Sequence, residues 1–459
     1  MRPTHRAQLA ALVFLCGLVL AAGLANKYRC AGPEFDESGR SAPDYSERVN
    51  SDVCYSDIQF LWLGRDIDKH VFPYVDGALV DGNLVGGTVE YPVLTGVLIW
   101  AGAAFADNDA QFLLLSALLL APFGLLTAWL LGRLAGWRAL LWALGPPLVL
   151  YAFHNWDLPA VAASVAAFFV IYRASWPLAV RTSVAAALLG IGFALKLYPA
   201  LFVLPLVLYA FTSEGGRNVR AAVRVVLVAA STAIVANVPF AIAGFDGWWA
   251  SFLFQGERSA DLTTNSLWYW GVRLLFGDDE AGFRSFVDVV SPVLVIAAVA
   301  LACWLGWRRY REEGGEYPLL PVAAAALCAF LLLHKVHSPQ YTLWLLPMFV
   351  LLKVRWGWIV GYLLADLAMG IGIFRWYSEL GGGGGAIYDG FAAQAVVIGV
   401  WGRAALLAGL YFAFLSAKAV PRYTVALDRL TTTTSFAPSS TPPAGSSSPA
   451  VRTRSVDGR

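Results

Sequence analysis

A chain of 459 residues that is 58% hydrophobic and only 14% charged is not a soluble domain, since charged residues alone reach about 25% in soluble chains. The net charge of +2 gives no ground for a nucleic-acid partner. Apolar residues come in runs of roughly 15 to 22, separated by short polar punctuation, which is the signature of bilayer-spanning helices.

The first run, 9–25, follows Arg2, His5 and Arg6. It reads as a retained first helix, with a cleaved signal peptide as the alternative. A large loop follows over 26–109, with twelve acidic and six basic side chains in 26–90. Cys30 and Cys54 both lie in it. They form a disulfide if the loop faces an oxidising compartment and remain free thiols otherwise. After Tyr55-Ser56-Asp57, the spacing of Ile58, Leu61, Trp62 and Arg65, with Phe60, Leu63 and Ile67 alongside, predicts an amphipathic interfacial helix. On spacing alone, Ser56 or Asp57 could equally be that helix's N-cap. Asp66-Ile67-Asp68 is a D-x-D tripeptide, too common by chance to imply a metal.

The run 91–106 is long enough to suggest a span, but arginine placement argues otherwise. If it crossed, Arg133, Arg138, Arg173, Arg181, Arg217, Arg220, Arg224, Arg308, Arg309 and Arg311 would all face outward, against the positive-inside rule. It therefore reads as a helix at the outer leaflet. The expected spans are 8–25, 110–132, 139–153, 158–172, 182–196, 199–211, 222–242, 287–306, 318–333, 341–353, 357–374 and 392–416. The sequence thus predicts an all-α polytopic membrane protein of about twelve transmembrane helices with a large first extracytoplasmic loop containing interfacial helices. Its membrane domain covers 1–430. The Thr-, Ser- and Pro-rich stretch 431–459 reads as a disordered cytoplasmic tail. The five glycines 381–385 read as an outer loop.

With that topology the unusual polar residues gather on one side: Asp57, Glu90, His154, Asn155, Asp157, Lys196, Tyr198, Lys335, His337, Gln340 and Tyr341. Ionisable groups at the hydrocarbon edge are costly and tend to mark function, although each alone could snorkel or cap a helix. Lys196 interrupts the apolar hairpin GIGFALKLYPALFVLPLVL and could hold a phosphate as a point charge. Lys335 and the segment His337-Ser338-Pro339-Gln340-Tyr341 form a second polar hairpin tip of the same kind. No metal-ligand spacing is present, so neither a metal nor a cofactor is expected.

The stretches YSDIQFLWLGRDI, PYVDG, EYPVLTG, FHNWD, ALKLYPALFVLPL and HSPQYTLWLLP resemble the GT-C superfamily of membrane glycosyltransferases. More narrowly, they are similar to glycosyltransferase family 87, the polyprenol-phosphate-mannose-dependent alpha-mannosyltransferases of actinobacteria. The resemblance implies a catalytic base early in the first outer loop, at Asp57. It also implies a polar second outer turn, at His154 and Asp157, and a lysine near the lipid phosphate, at Lys196. This chain carries one acid at the Asp57 position where the family has an adjacent pair. The expected activity is inverting transfer of a sugar, most readily mannose, from a polyprenyl-phosphate donor to a cell-envelope glycolipid or glycan. The plasma membrane is the expected location, with the site on its extracytoplasmic side. Donor-phosphate contacts are expected from Lys196, Tyr198, His337, Lys335 and Gln340, and substrate contacts from Glu90, His154, Asp157 and Tyr341. A transporter or lipid-linked-sugar flippase, or a non-catalytic assembly partner, is the competing reading.

Overall fold

The computed structural model describes residues 3–381 and 390–420. The expected tail, and the glycines at 382–385, lie outside the described residues. The chain is an all-α polytopic membrane protein. Among the described residues, seven helices are long and apolar enough to cross a bilayer: His5–Tyr28, Asp109–Ala143, Leu178–Leu195, Val219–Ala243, Glu280–Glu313, Trp356–Gly381 and Phe391–Ser416. Shorter apolar helices, among them Leu158–Arg173 and Leu319–Leu333, stand at other expected positions.

The outer surface shows what solvent the fold is built for. On the Val219–Ala243 helix, Val223, Leu227, Ile234, Val235 and Ile242 are exposed, as are Val289, Val293 and Ile296 on Glu280–Glu313. A soluble protein would bury such stripes, whereas hydrocarbon chains cover them at no cost. At the centre the pattern reverses. All ten residues of Thr342–Leu351 are buried, and Leu319–Leu333 is buried almost all round. Uniform apolarity, not an amphipathic stripe, fits a helix surrounded by other helices.

Breaks in the helices follow from local chemistry. The expected span 139–153 is two short pieces, Leu140–Ala143, which ends the Asp109–Ala143 stretch after a 3-10 turn at Gly136–Ala139, and Pro146–Tyr151. Pro146 and Pro147 lack the N–H groups that would continue the first piece, and both are accepted in the first turn of the second. The helix after Asp57 is shorter than the apolar spacing suggests. Asp57–Phe60 is α-helical and Leu61–Leu63 a 3-10 turn, and the chain then leaves at Gly64, with Arg65 and Asp66 in the left-handed region. The amphipathic pattern survives the break: Ile58, Leu61, Trp62 and Ile67 are buried, while Phe60 and Leu63 are exposed.

Within the 91–106 run the helix is Val93–Ala103, eleven residues. At 1.5 Å per residue it reaches roughly 16 Å, about half a hydrocarbon core. Thr95 Oγ1 donates to the Leu195 carbonyl at 2.6 Å and pins it beside a helix end. The first loop is stapled as a unit. Cys30 and Cys54 are joined by a disulfide. Arg40 pairs with buried Asp109 at 3.0 Å, and Ser41 donates to the same carboxylate. A two-residue turn at Asp81 and Gly82, both with positive φ, closes the hairpin Ala78–Val80 with Asn83–Val85.

Arginines from the clustered loops meet at the opposite ends of these helices and bond terminal carbonyls. Arg138 donates to Phe349, Val350 and Leu352, Arg173 to Arg133, Arg181 to Ile171, and Arg309 to Leu415 and Ala417. Helix C-termini leave such carbonyls unpaired, and cations suit the negative end of the helix dipole. The same charges that suggested orientation therefore also cap helices.

Candidate active site

A cavity of about 800 Å³ opens at the end of the bundle that carries the first loop. The turn between Pro146–Tyr151 and Leu158–Arg173 builds its polar core. Asp57 reaches this turn through backbone and side chain together. Its N–H donates to the His154 carbonyl at 2.8 Å, and Ser56 Oγ donates to the Phe153 carbonyl at 2.6 Å. Ser56 occupies the N-cap position of the short helix, without a side-chain cap bond. The Asp57 carboxylate instead accepts from Asn155 Nδ2 at 2.6 Å, which removes the capping alternative for this residue.

Asn155 is the connector. Its Nδ2 also contacts the Tyr91 hydroxyl at 2.8 Å, and its Oδ1 accepts from Lys196 Nζ at 2.9 Å. One amide thus holds a carboxylate on its donor side and an ammonium on its acceptor side. Lys196 lies just past the end of Leu178–Leu195, 3.6 Å from Asp157 and 4.3 Å from the centre of the Tyr91 ring. Asp157 is fully buried and accepts from Trp344 Nε1 at 2.8 Å. Tyr198, Trp344 and Tyr341 form a stack, with ring separations of 4.2 and 3.9 Å.

Burial raises the Asp57 carboxyl above the ordinary carboxylate range, opposed by hydrogen bonds from Asn155 and Tyr55 and by the charges of Lys196 and Arg258. Burial lowers Lys196, with Asp157, Asp57 and Glu90 opposing. Burial, reinforced by Lys27, drives His154 well below the usual histidine range, so its imidazole is neutral; its Nε2 stands 3.9 Å from Asp57.

Of the residues expected at the site, Asp57, Glu90, His154, Lys196, Tyr198, Gln340 and Tyr341 line this cavity. Glu90 is paired with Arg65 at 3.1 Å. Three others do not line it. Lys335 turns away, to Asp288 at 2.7 Å and the Gly256 carbonyl at 3.1 Å. His337 is sealed behind the wall, where its Nδ1 meets the Leu331 carbonyl at 3.1 Å and its ring packs on Tyr341. Asp157 lies beneath Lys196 and not in the wall. A hairpin tip has two faces, and sequence does not say which one the neighbouring helices leave open. The D-x-D acid Asp66 bonds Lys69 and the Gly86 N–H and so shapes a turn.

Arg258 was not singled out from the sequence. It follows the Phe245–Glu257 helix, lines the cavity, and makes no ion pair or hydrogen bond among the described residues. His334 also lines the cavity, unlike its neighbour His337.

The sequence model of glycosyltransferase family 87 matches residues 90–339, more than half of the chain. The chain belongs to glycosyltransferase family 87. The matched stretch holds Glu90, Tyr91, His154, Asn155, Lys196 and Arg258, while Asp57 precedes it. A polyprenol-phosphate-mannose-dependent alpha-(1-2)-phosphatidylinositol mannoside mannosyltransferase of Mycobacterium tuberculosis is 28% identical over 302 residues, 64% of this chain and 63% of the relative. This family 87 chain therefore spans a little under two thirds of that relative's length. The crystal structure of ArnT from Cupriavidus metallidurans bound to undecaprenyl phosphate overlaps 88% of this chain and 77% of its own, with 14% identity. Its TM-score is 0.40, too low a likeness to carry an argument about the site.

Proposed function

We propose that this family 87 chain moves a sugar, mannose in the first instance, from a polyprenyl-phosphate donor to a hydroxyl of a cell-envelope glycolipid or glycan, with inversion, at the extracytoplasmic face. The observation that carries this reading is the Asp57–Asn155–Lys196 chain on the cavity wall. It sets a proton acceptor and a phosphate-binding cation a fixed distance apart, bridged by one amide. Asp57 accepts the proton of the acceptor hydroxyl as that oxygen attacks the anomeric carbon. The bond from that carbon to the phosphate oxygen breaks on the opposite face. Lys196 and Arg258 stabilise the charge that grows on the departing lipid phosphate. A single displacement inverts the anomeric centre, by the geometric logic that governs inverting glycosidases. His154, neutral and donor-capable, stands beside the base, and the Tyr341 ring, backed by Trp344, lines the cavity on the sugar's side.

The disulfide at the cavity end supports the extracytoplasmic assignment, because disulfides persist in oxidising compartments. Membership of a transferase family favours transfer over a flippase. The mannosyltransferase relative supports mannose as the sugar and polyprenol phosphate as its carrier. The test is purified protein in lipid nanodiscs with radiolabelled polyprenyl-phosphate-mannose and envelope lipids from a deletion strain. Label should pass into a glycolipid with the opposite anomeric configuration, with polyprenyl phosphate released in equal amount. Movement of intact donor across a bilayer without transfer would support the flippase instead.

A further inference from the structure

We propose that Lys27 and the disulfide-closed loop Cys30–Cys54 form a clamp that sets the position of the Asp57 carboxylate, with Lys27 as a positioning residue. The inference rests on the reading of Asp57 as the base. Lys27 lies three residues before Cys30, in the last turn of Pro3–Tyr28, and Asp57 lies three residues after Cys54. The intervening excursion leaves that helix end and returns to it, tied twice. The disulfide is one tie. The other is the Lys27 ammonium, which donates to the Tyr55 carbonyl at 2.6 Å.

Lys27 is 2% exposed and has no carboxylate within ion-pair distance among the described residues. An ammonium buried on a single backbone carbonyl is a poor choice for stability, where an apolar side chain would serve better. Its placement is explained by what it holds. Tyr55, Ser56 and Asp57 are each fixed by a different bond: Tyr55 O to Lys27, Ser56 Oγ to the Phe153 carbonyl, and Asp57 N–H to the His154 carbonyl. The first bond and the disulfide come from the helix end, and the other two from the turn that carries Asn155. Gln59 Nε2 reaches the Cys30 carbonyl at 3.4 Å and Arg48 the Gly32 carbonyl at 2.7 Å, so the excursion is also bonded to itself and to the helix that Asp57 begins. With Asp57 gripped from both sides, its carboxylate is directed at Asn155. A misplacement of about 1 Å at a reacting group costs on the order of a hundredfold in rate.

The experiment compares Lys27→Met and the pair Cys30→Ser/Cys54→Ser with the intact chain in nanodiscs, using polyprenyl-phosphate-mannose as donor and envelope lipids as acceptor. Both should lower kcat about tenfold or more, with the donor KM within about twofold of the parent and the same monodisperse elution. Should the cysteine pair fail to fold, Lys27→Met decides alone. An unchanged kcat, or a fall in kcat accompanied by an equal loss of donor affinity, overturns the clamp. Asp57→Asn separates the two ideas. If it is active, the base reading has failed. If it is dead while Lys27→Met turns over at the parent rate, only the clamp has failed.

Discussion

Replacing Asp57 by Asn removes one property and leaves its neighbours in place. The Ser56 N-cap is untouched, and the amide carbonyl of Asn can still accept from Asn155 Nδ2, now 2.6 Å from the carboxylate. The side chain is 23% exposed, into the cavity, and its charge is disfavoured by burial, so a neutral amide should cost no more than about 1 kcal/mol of stability. What disappears is the proton acceptor. General-base catalysis contributes about 10² to 10⁴ in rate, roughly 2.7 to 5.4 kcal/mol of barrier at 1.36 kcal/mol per tenfold. The expected outcome is therefore turnover reduced by at least a hundredfold, with thermal stability and donor binding retained. Single-turnover transfer of radiolabelled mannose measures the first, and a thermal-shift assay with and without donor measures the second. Asp66→Asn and Asp68→Asn should be near parental, because Asp66 bonds a turn and neither lines the cavity. Asp57→Asn within about threefold of the parent would refute the assignment. Asp57→Asn active with Asp157→Asn dead would move the base to the second turn.

The pH profile should carry the raised Asp57 value: the base works above it, so the acid limb of kcat/KM should lie above the usual aspartate value of about 3.9. Asn155→Ala removes a hydrogen bond that lowers that value and should move the limb to higher pH; a profile that shifts downward would contradict the geometry. Lys196→Ala should raise the donor KM about tenfold or more, whereas Lys335→Ala should leave donor kinetics at the parent level, as steady-state titration with donor will show. For topology, single cysteines at Asp107 and Gly215, with Cys16, Cys303 and Cys328 replaced and the disulfide kept, should label differently with an impermeant thiol reagent. Position 107 should react from outside and 215 should not; the reverse would mean that 91–106 crosses.

How far each feature could be read from the sequence follows from the range of the forces involved. Hydropathy is summed along the chain, so the helices at 109–135, 219–243 and 391–416 were visible as runs, whereas the break at the proline pair 146–147 was passed over, because the run 139–153 stays apolar through it. Charge placement is equally local, which is why arginine positions could set 91–106 apart from the other runs; the helix there is the eleven-residue Val93–Ala103. The polar residues that collect at one end were also visible, as costly exceptions to apolar surroundings. What they do there is set by neighbours distant in sequence. Asn155 joins Asp57 to Lys196 across separations of 98 and 41 residues, and no local pattern encodes that bridge. Lys196 and Lys335 look alike as lysines at hairpin tips, yet packing turns one into the cavity and the other to Asp288. His334 and His337 are three residues apart, and only the first faces the open space. Sequence determined which residues are polar exceptions within apolar surroundings, because solvation depends on the residue itself. Only the tertiary structure decided which of them meet, because a hydrogen bond or ion pair depends on where the other partner has been packed.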